Sequence, residues 1–284
     1  MKMKKQVVLA AVLSAAVFSA HAHRVWVKTD HTHGGEILKA QLGYGEFPEF
    51  EPIAQERLHI FSKPMRLYTD KGHEDLVQQG EFNYQYESKK PVREGSFLVT
   101  AEYQPTFWSK NKAGWKKVNM TEMPDAEYCE QTRMYGKNIV NVGHDSADTA
   151  VITRPVDHLL EIVPLDNPAN VRVGELFKVK VLYKGEPLAN VPVTATFEGF
   201  DLTDRKKSHK VEAQAFYDVT AADGTVDIIP LRQGFWKASV EYKADYADQK
   251  VCQKQASYST LTFEIGHTHP ESAAQMGRSA HPRQ

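Results

Sequence analysis

The stretch Phe177-Lys178-Val179-Lys180-Val181-Leu182-Tyr183-Lys184-Gly185-Glu186-Pro187 decides the fold class. Apolar residues fall on every second position, then a Lys-Gly-Glu-Pro turn reverses the chain. Period two with polar residues between is the mark of a half-buried strand. Alternation resumes at Val191, Val193, Ala195 and Phe197. Outward from this hairpin the same signal repeats at Leu160, Ile162 and Pro164, and at Ala213, Ala215 and Tyr217. Asp223-Gly224 is a hairpin turn leading to Val226, Ile228 and Pro230. Trp236, Ala238, Val240 and Tyr242 alternate, as do Leu261, Phe263 and Ile265. About seven short strands in roughly 105 residues describe an immunoglobulin-like β-sandwich. We place it at 158–265, followed by a tail at 266–284 without periodicity.

Upstream, 23–157 reads as a second β domain. Leu38, Ala40 and Leu42 alternate, as do Phe82, Tyr84 and Tyr86, and Phe97, Val99, Ala101 and Tyr103; Leu58 and Ile60 fit a shorter strand. Residues 104–124 are irregular and suit a long loop or a ragged hairpin. Pro124-Asp125-Ala126-Glu127 has the composition of a helix start. Tyr128, Thr132, Tyr135 and Ile139 follow at helical spacing. One short helix is therefore expected over about 125–138, with a strand from Asn138 to Val142. The expected fold is mainly β: two β-sandwich domains, the second immunoglobulin-like.

Residues 1–22 read as a secretory leader: Lys2, Lys4 and Lys5, an apolar run from Val7 to Ala20, and small residues at Ala20 and Ala22 before the cut. The run is shorter than the roughly 20 apolar residues of a membrane helix. The mature chain then starts at His23 and is expected to be periplasmic, without insertion in the membrane. The full chain carries a formal charge of −1; removing three leader lysines leaves 32 Lys+Arg against 36 Asp+Glu, or −4. That balance offers no basic surface for nucleic acid. No Gly-x-Ser-x-Gly elbow, glycine-rich phosphate loop or His-Glu-x-x-His helix is present, so the chain does not read as an enzyme of those types. Two cysteines, Cys129 and Cys252, suit a disulfide in an oxidising compartment, with two buried thiols as the alternative.

Eleven histidines remain after the leader is removed. A terminal His23 offers a metal both its amine and its ring; a frayed terminus is the plainer reading. Asp30-His31-Thr32-His33 puts two rings on one face of an extended strand, or else makes a solvated turn before Gly34-Gly35. This cluster lies at the far end of the strand from His23, about 25 Å away if the strand is fully extended, which points to two sites unless the chain folds back. His144 could complete the His23 site from a distant loop, or hydrogen-bond to Asp145. His267-Thr268-His269 could be a secondary metal site or a solvated tail. His59, His73, His158 and His209 are isolated and suit surface or satisfied roles. Trp108, Lys110, Lys112, Trp115, Lys116 and Lys117 could form a docking surface or a solvated loop with packed indoles.

Several motifs in order carry a resemblance: Leu160-Glu161-Ile162-Val163-Pro164-Leu165-Asp166-Asn167-Pro168, Val173-Gly174-Glu175, Lys184 to Val193, Ala222-Asp223-Gly224, Gly234-Phe235-Trp236, and near the start Gly43-Tyr44-Gly45-Glu46-Phe47-Pro48-Glu49. The chain resembles the periplasmic substrate-binding or auxiliary family of energy-coupling-factor-type nickel and cobalt uptake transporters, exported two-domain β proteins. The resemblance implies binding of Ni²⁺ or Co²⁺ and delivery to the membrane components of an uptake transporter. Imidazole ligands suit Cu²⁺ and Zn²⁺ as well. Two other classes stay open: a copper-dependent oxygenase of the histidine-brace type, and a structural or adhesion module.

Overall fold

The computed structural model describes residues 23–50, 53, 55–61, 63–80, 84–143, 148–200 and 212–266. The chain is mainly β. Its first half runs β1 (Arg24–Thr29), β2 (Lys39–Gly45), β3 (Arg66–Thr69), β4 (Gly72–Asp75), β5 (Val77–Gln79), β6 (Gln85–Glu87), β7 (Gly95–Asn111), β8 (Gly114–Lys116) and β9 (Tyr128–Val142). Its second half runs β10 (Leu160–Pro164), β11 (Phe177–Tyr183), β12 (Glu186–Pro187), β13 (Pro192–Phe197), β14 (Phe216–Val219), β15 (Thr225–Ile228), β16 (Gly234–Asp245) and β17 (Lys254–Ile265). Short 3-10 turns occur at Gln55–Phe61 and Pro168–Asn170. The first replaces the short strand expected around Leu58 and Ile60.

Three sheets form. One has the order β1-β2-β6-β5. A second has β10-β11-β12, with β15 also on β11. The largest runs β14-β13-β16-β17-β9-β7-β3-β4, with β8 on β7. The boundary expected near His158 falls between β9 and β10, yet the large sheet continues across it. Strand β17 from the end of the chain lies parallel to β9, in register from Lys254↔Glu130 to Thr262↔Asn138. Two large apolar cores, and a smaller one around Trp26, sit on the framework of the described residues. One gathers Val25, Leu42, Phe97, Tyr103 and Val142. The other gathers Ile162, Phe177, Val193, Trp236 and Phe263 between the two sheets of the immunoglobulin-like sandwich.

The helix expected over 125–138 does not form. The chain turns at Pro124-Asp125 and then runs as β9 through Tyr128–Val142. Flanked by β7 and β17 and covered on both faces, β9 is buried at nearly every position and so lacks period-two alternation. The spacing of Tyr128, Thr132, Tyr135 and Ile139 matches a helix by coincidence. Residues 104–124 are likewise more ordered than a loop. β7 continues through Asn111 and forms a hairpin with β8. The register of β7 on β9 shifts between Tyr103 and Thr106. Pro105 lies in that irregular step, where a residue without an N–H costs no ladder bond.

Strand β1 lies against the seam between β9 and β17. Small residues let the backbones approach: a Cβ on Gly136 would come within 3.2 Å of the Trp26 Cα. The edge of β1 that is not paired with β2 needs acceptors satisfied. The Thr260 hydroxyl donates to the Val25 carbonyl at 2.7 Å, and the Thr262 hydroxyl donates to that of Val27. The start of the strand is pinned by Arg24, which pairs with Glu241 at 3.0 Å and covers the Tyr258 ring.

Cys129 and Cys252 form a disulfide at the end of the seam where β9 and β17 begin, with their Cα atoms 5.1 Å apart. It closes a loop with a sequence separation of 123. In the chain-entropy picture such a crosslink stabilises by about 4–5 kcal/mol, although measured losses run about 2–5 kcal/mol. The double variant Cys129→Ser/Cys252→Ser is expected to lose that amount in urea unfolding. An unchanged midpoint in the same buffer would show that the bridge contributes nothing.

Between β9 and β10 lies a buried polar group that no sequence motif announces. Lys137 donates to the Glu161 carboxylate and, at 3.1 Å, to the Ile162 carbonyl. Glu161 also accepts from the Val156 amide. Both side chains of the pair are almost wholly buried. Removing one partner strands a charge, which costs about 3–5 kcal/mol. Lys137→Met is therefore expected to lose that much, and adding Glu161→Gln is expected to recover most of it. Denaturant titrations of the two variants and wild type test the coupling; equal losses would refute it.

His158, expected to be a surface or satisfied histidine, is buried and stacked on Tyr135 at 4.6 Å between ring centroids. Neither ring nitrogen has a hydrogen-bond partner among the described residues. Burial first, then the nearby charges of Lys137, Arg66 and Lys63, hold its pKa well below the usual histidine value. The unfolded chain therefore binds a proton that the folded chain refuses. This contribution to stability is present above about pH 6.5 and is lost as pH falls below it. Wild type is expected to lose about 1 kcal/mol more than His158→Phe for each pH unit below that point. Urea midpoints at pH 7.5 and 5.5 provide the comparison.

Candidate functional site

The first two histidine groups of the described chain stand at opposite ends of β1. An extended strand rises about 3.3 Å per residue, so His23 and His31 lie roughly 25 Å apart. They cannot share an ion.

At the first end, the His23 ring packs on Tyr44 with 5.3 Å between centroids. Tyr44 belongs to a closed cluster. Its hydroxyl accepts from Arg57 at 2.8 Å, and its ring meets Phe61 and Tyr103. Burial, the largest cause, together with Tyr103 pushes the Tyr44 phenol up to about 12. This tyrosine stays protonated at neutral pH and is no anionic ligand.

The neighbouring Gly43–Glu49 motif has a packing role. Trp26 is fully buried and meets Phe47, Phe50 and Phe235 at 4.3–6.4 Å between ring centroids. A Cβ on Gly43 would stand 2.1 Å from an indole carbon of Trp26, so only glycine fits opposite that ring. Lys237 lies over the Phe47 ring at 5.0 Å. Gly43→Ala is therefore expected to destabilise the fold by about 1–3 kcal/mol through overpacking. Thermal unfolding checks this; an unchanged Tm would remove the packing role.

At the other end, the His31 and His33 rings meet edge to face with 4.7 Å between centroids. The loop that presents them is well tied. The Asp30 amide donates to Lys39, the His33 amide to the Glu36 carboxylate, and the Gly35 amide to Val92. The buried Thr32 accepts at its carbonyl from the Gly143 amide at 3.0 Å. The ends of β1, β9 and β17 converge here. They line a pocket with Thr29, Asp30, His31, Asn141, Gly143 and Glu264, to which Ala169 contributes from the turn after β10. Neighbouring atoms crowd the Glu264 carboxyl and raise its pKa to about 7. Part of the residue nonetheless stays exposed, so solvent reaches it. Glu264 does not stand out in sequence: it is the outward residue between Phe263 and Ile265, and only the fold brings it to the pocket of His31.

His144, His209, His267 and His269 lie outside the described residues. His73 packs on Tyr68 and His59 contacts Lys117, away from both groups. In the β7–β8 hairpin, Trp115 packs on Tyr128 and lies near Lys110, while the Trp108 indole donates to the Tyr103 hydroxyl. Among the described residues no three His, Cys, Asp or Glu side chains stand close enough to hold one metal ion. No described helix is long and apolar enough to cross a membrane.

A protein family described as "Domain of unknown function (DUF4198)" matches residues 20–244. That is well over half of the chain, which therefore belongs to this family. No curated protein matches. Among solved structures, Escherichia coli alpha-2-macroglobulin activated by porcine elastase aligns at 12% identity over 84% of this chain and 23% of that one, with a TM-score of 0.22. The native conformation of E. coli alpha-2-macroglobulin aligns at 12% identity over 86% and 16%, with a TM-score of 0.20. The chain thus spans less than a quarter of the length of either.

Proposed function

We propose that this member of the DUF4198 family is an exported, non-catalytic protein that binds a divalent transition-metal ion and passes it to the membrane components of an uptake transporter. The carrying observation is the His31–His33 ring pair beside a pocket lined by Asp30 and Glu264. Two imidazoles are the donor set that Ni²⁺ and Co²⁺ accept readily, and carboxylates add hard oxygen donors nearby. The leader-like start and the resemblance to nickel and cobalt uptake components support the same reading. A small number of protein donors suits a delivery role, because an ion with water in its remaining positions can be captured and still released to a competing site. The fully buried surroundings of Thr32 hold the loop in place, so little ordering is needed when the ion binds.

His23 is assigned a separate and weaker role. In the mature chain its amine and ring can chelate, but the ring that flanks it is Tyr44. The test is calorimetric titration of the chain starting at His23 with Ni²⁺ or Co²⁺. The double variant His31→Ala/His33→Ala is expected to weaken binding at least tenfold. His23→Ala, or one extra residue ahead of His23, is expected to change it much less. Binding no tighter than that of a variant stripped of all its histidines would sink the metal reading. Loss confined to the His23 variants would move the site to the terminus.

A further inference from the structure

A second pocket opens beside the irregular step of β7, where Gln104 and Phe107 meet His59 and Ile60 of the first 3-10 turn and Lys117 and Glu122 beyond β8. None of these residues lines the pocket of His31. The step follows from the local sequence. Pro105 has no N–H to give a ladder, and the pairing of β7 with β9 breaks between Tyr103 and Thr106. The Thr106 hydroxyl donates to the Gln104 carbonyl at 2.8 Å across the step. A break of this kind re-aims a side chain that regular pairing would fix, and Gln104 becomes part of the pocket wall.

The side-chain nitrogen of Gln104 is buried and has no hydrogen-bond partner among the described residues. An amide nitrogen carries two N–H donors and accepts nothing. Buried donors without an acceptor are costly and rare, so one in a pocket wall points to an acceptor that arrives from outside. A second donor lines the same pocket. The Lys117 ammonium contacts Nε2 of His59. An ammonium only donates, so this ring nitrogen accepts and the imidazole proton sits on Nδ1. One ammonium proton is used there and two remain. Ile60 and Phe107 give the pocket its apolar wall. Glu122 also lines it, with its carboxylate accepting from the Asn119 amide at 3.2 Å.

We infer that this pocket binds a small aliphatic carboxylate. Its two oxygens accept from the Gln104 amide and the Lys117 ammonium, and its hydrocarbon lies against Ile60 and Phe107. One cation and one neutral amide match a single negative charge. The Glu122 carboxylate in the same pocket repels any further charge, which selects against inorganic phosphate. A metal ion finds no lone pair on the Gln104 nitrogen or the Lys117 ammonium. The site is independent of the metal reading, because it shares no residue with the pocket of His31.

Saturation-transfer NMR of butyrate with the chain starting at His23 tests this. Butyrate is expected to half-saturate the pocket at about 1–10 mM, the range open to a ligand of so few atoms. Butan-1-ol, which keeps the hydrocarbon and loses the carboxylate, is expected to bind about tenfold more weakly. Lys117→Met, at an exposed position, is expected to weaken butyrate about tenfold, as is Gln104→Glu, which turns the buried donor into a like charge. Thermal unfolding shows that both variants fold, and Lys117→Met carries the test if Gln104→Glu does not. His31→Ala/His33→Ala is expected to bind butyrate as wild type does. Four results would each overturn the proposal: no saturation transfer to butyrate, equal binding of butan-1-ol, displacement of butyrate by an equal concentration of inorganic phosphate, and full affinity in Lys117→Met. Loss of butyrate binding in His31→Ala/His33→Ala would move the carboxylate to the other pocket and overturn it as well.

Discussion

The parallel pairing of β17 with β9 holds the two halves of this protein in one body. Parallel neighbours cannot be joined by a tight turn, so the chain builds the whole sandwich between them. Strand β17 leaves that sandwich through its pairing with β16 and completes the first half by lying along β9. The disulfide clamps the seam where both strands begin. Strand β1 then needs a surface on which its unpaired edge is satisfied, and the hydroxyls of Thr260 and Thr262 supply it. The end of β1, with its histidines, therefore takes its position from residues more than two hundred places away in the chain.

This arrangement explains which parts of the fold are legible in sequence. Strands with one wet face, such as β11, β13 and β16, alternate and can be read directly. β9 is covered on both faces, and its burial erases the alternation. A proline-acid turn and a few apolar residues at helical spacing then outweigh the true signal. The long β7 looks shorter in sequence than it is, because Pro105 and the adjacent Phe107-Trp108 interrupt its alternation. In the structure that interruption is a register shift followed by a hairpin. Parity leaves Cys129 and Cys252 open to a disulfide or to two buried thiols, and the fold decides for the bridge by bringing their Cα atoms to 5.1 Å.

The candidate site is legible only in part. His31 and His33 stand out as a pair two apart in sequence, and the separation from His23 follows from the reach of an extended chain. The rest depends on contacts between distant segments. Glu264 is one polar residue in an alternating strand, indistinguishable from its solvated neighbours until β17 is laid beside β9. His144, read from sequence as a candidate partner for His23, lies outside the described residues. The Gly43–Glu49 motif is one of those that carry the family resemblance, and in the structure Gly43 clears the Trp26 ring. A motif can persist for packing and still flank a functional end.

The buried charges sharpen the contrast between the two ends of β9. Lys137 and Glu161 neutralise each other without water, and His158 beside them is kept neutral by the same exclusion. Polar groups in the interior add little net stability but penalise any other packing of the halves. Near the far end of β9 the chemistry is the reverse. Asp30, His31 and Glu264 each line part of a pocket open to solvent. A rigid, charge-matched interior fixes where three strands end, and the polar side chains at those ends remain available to a ligand.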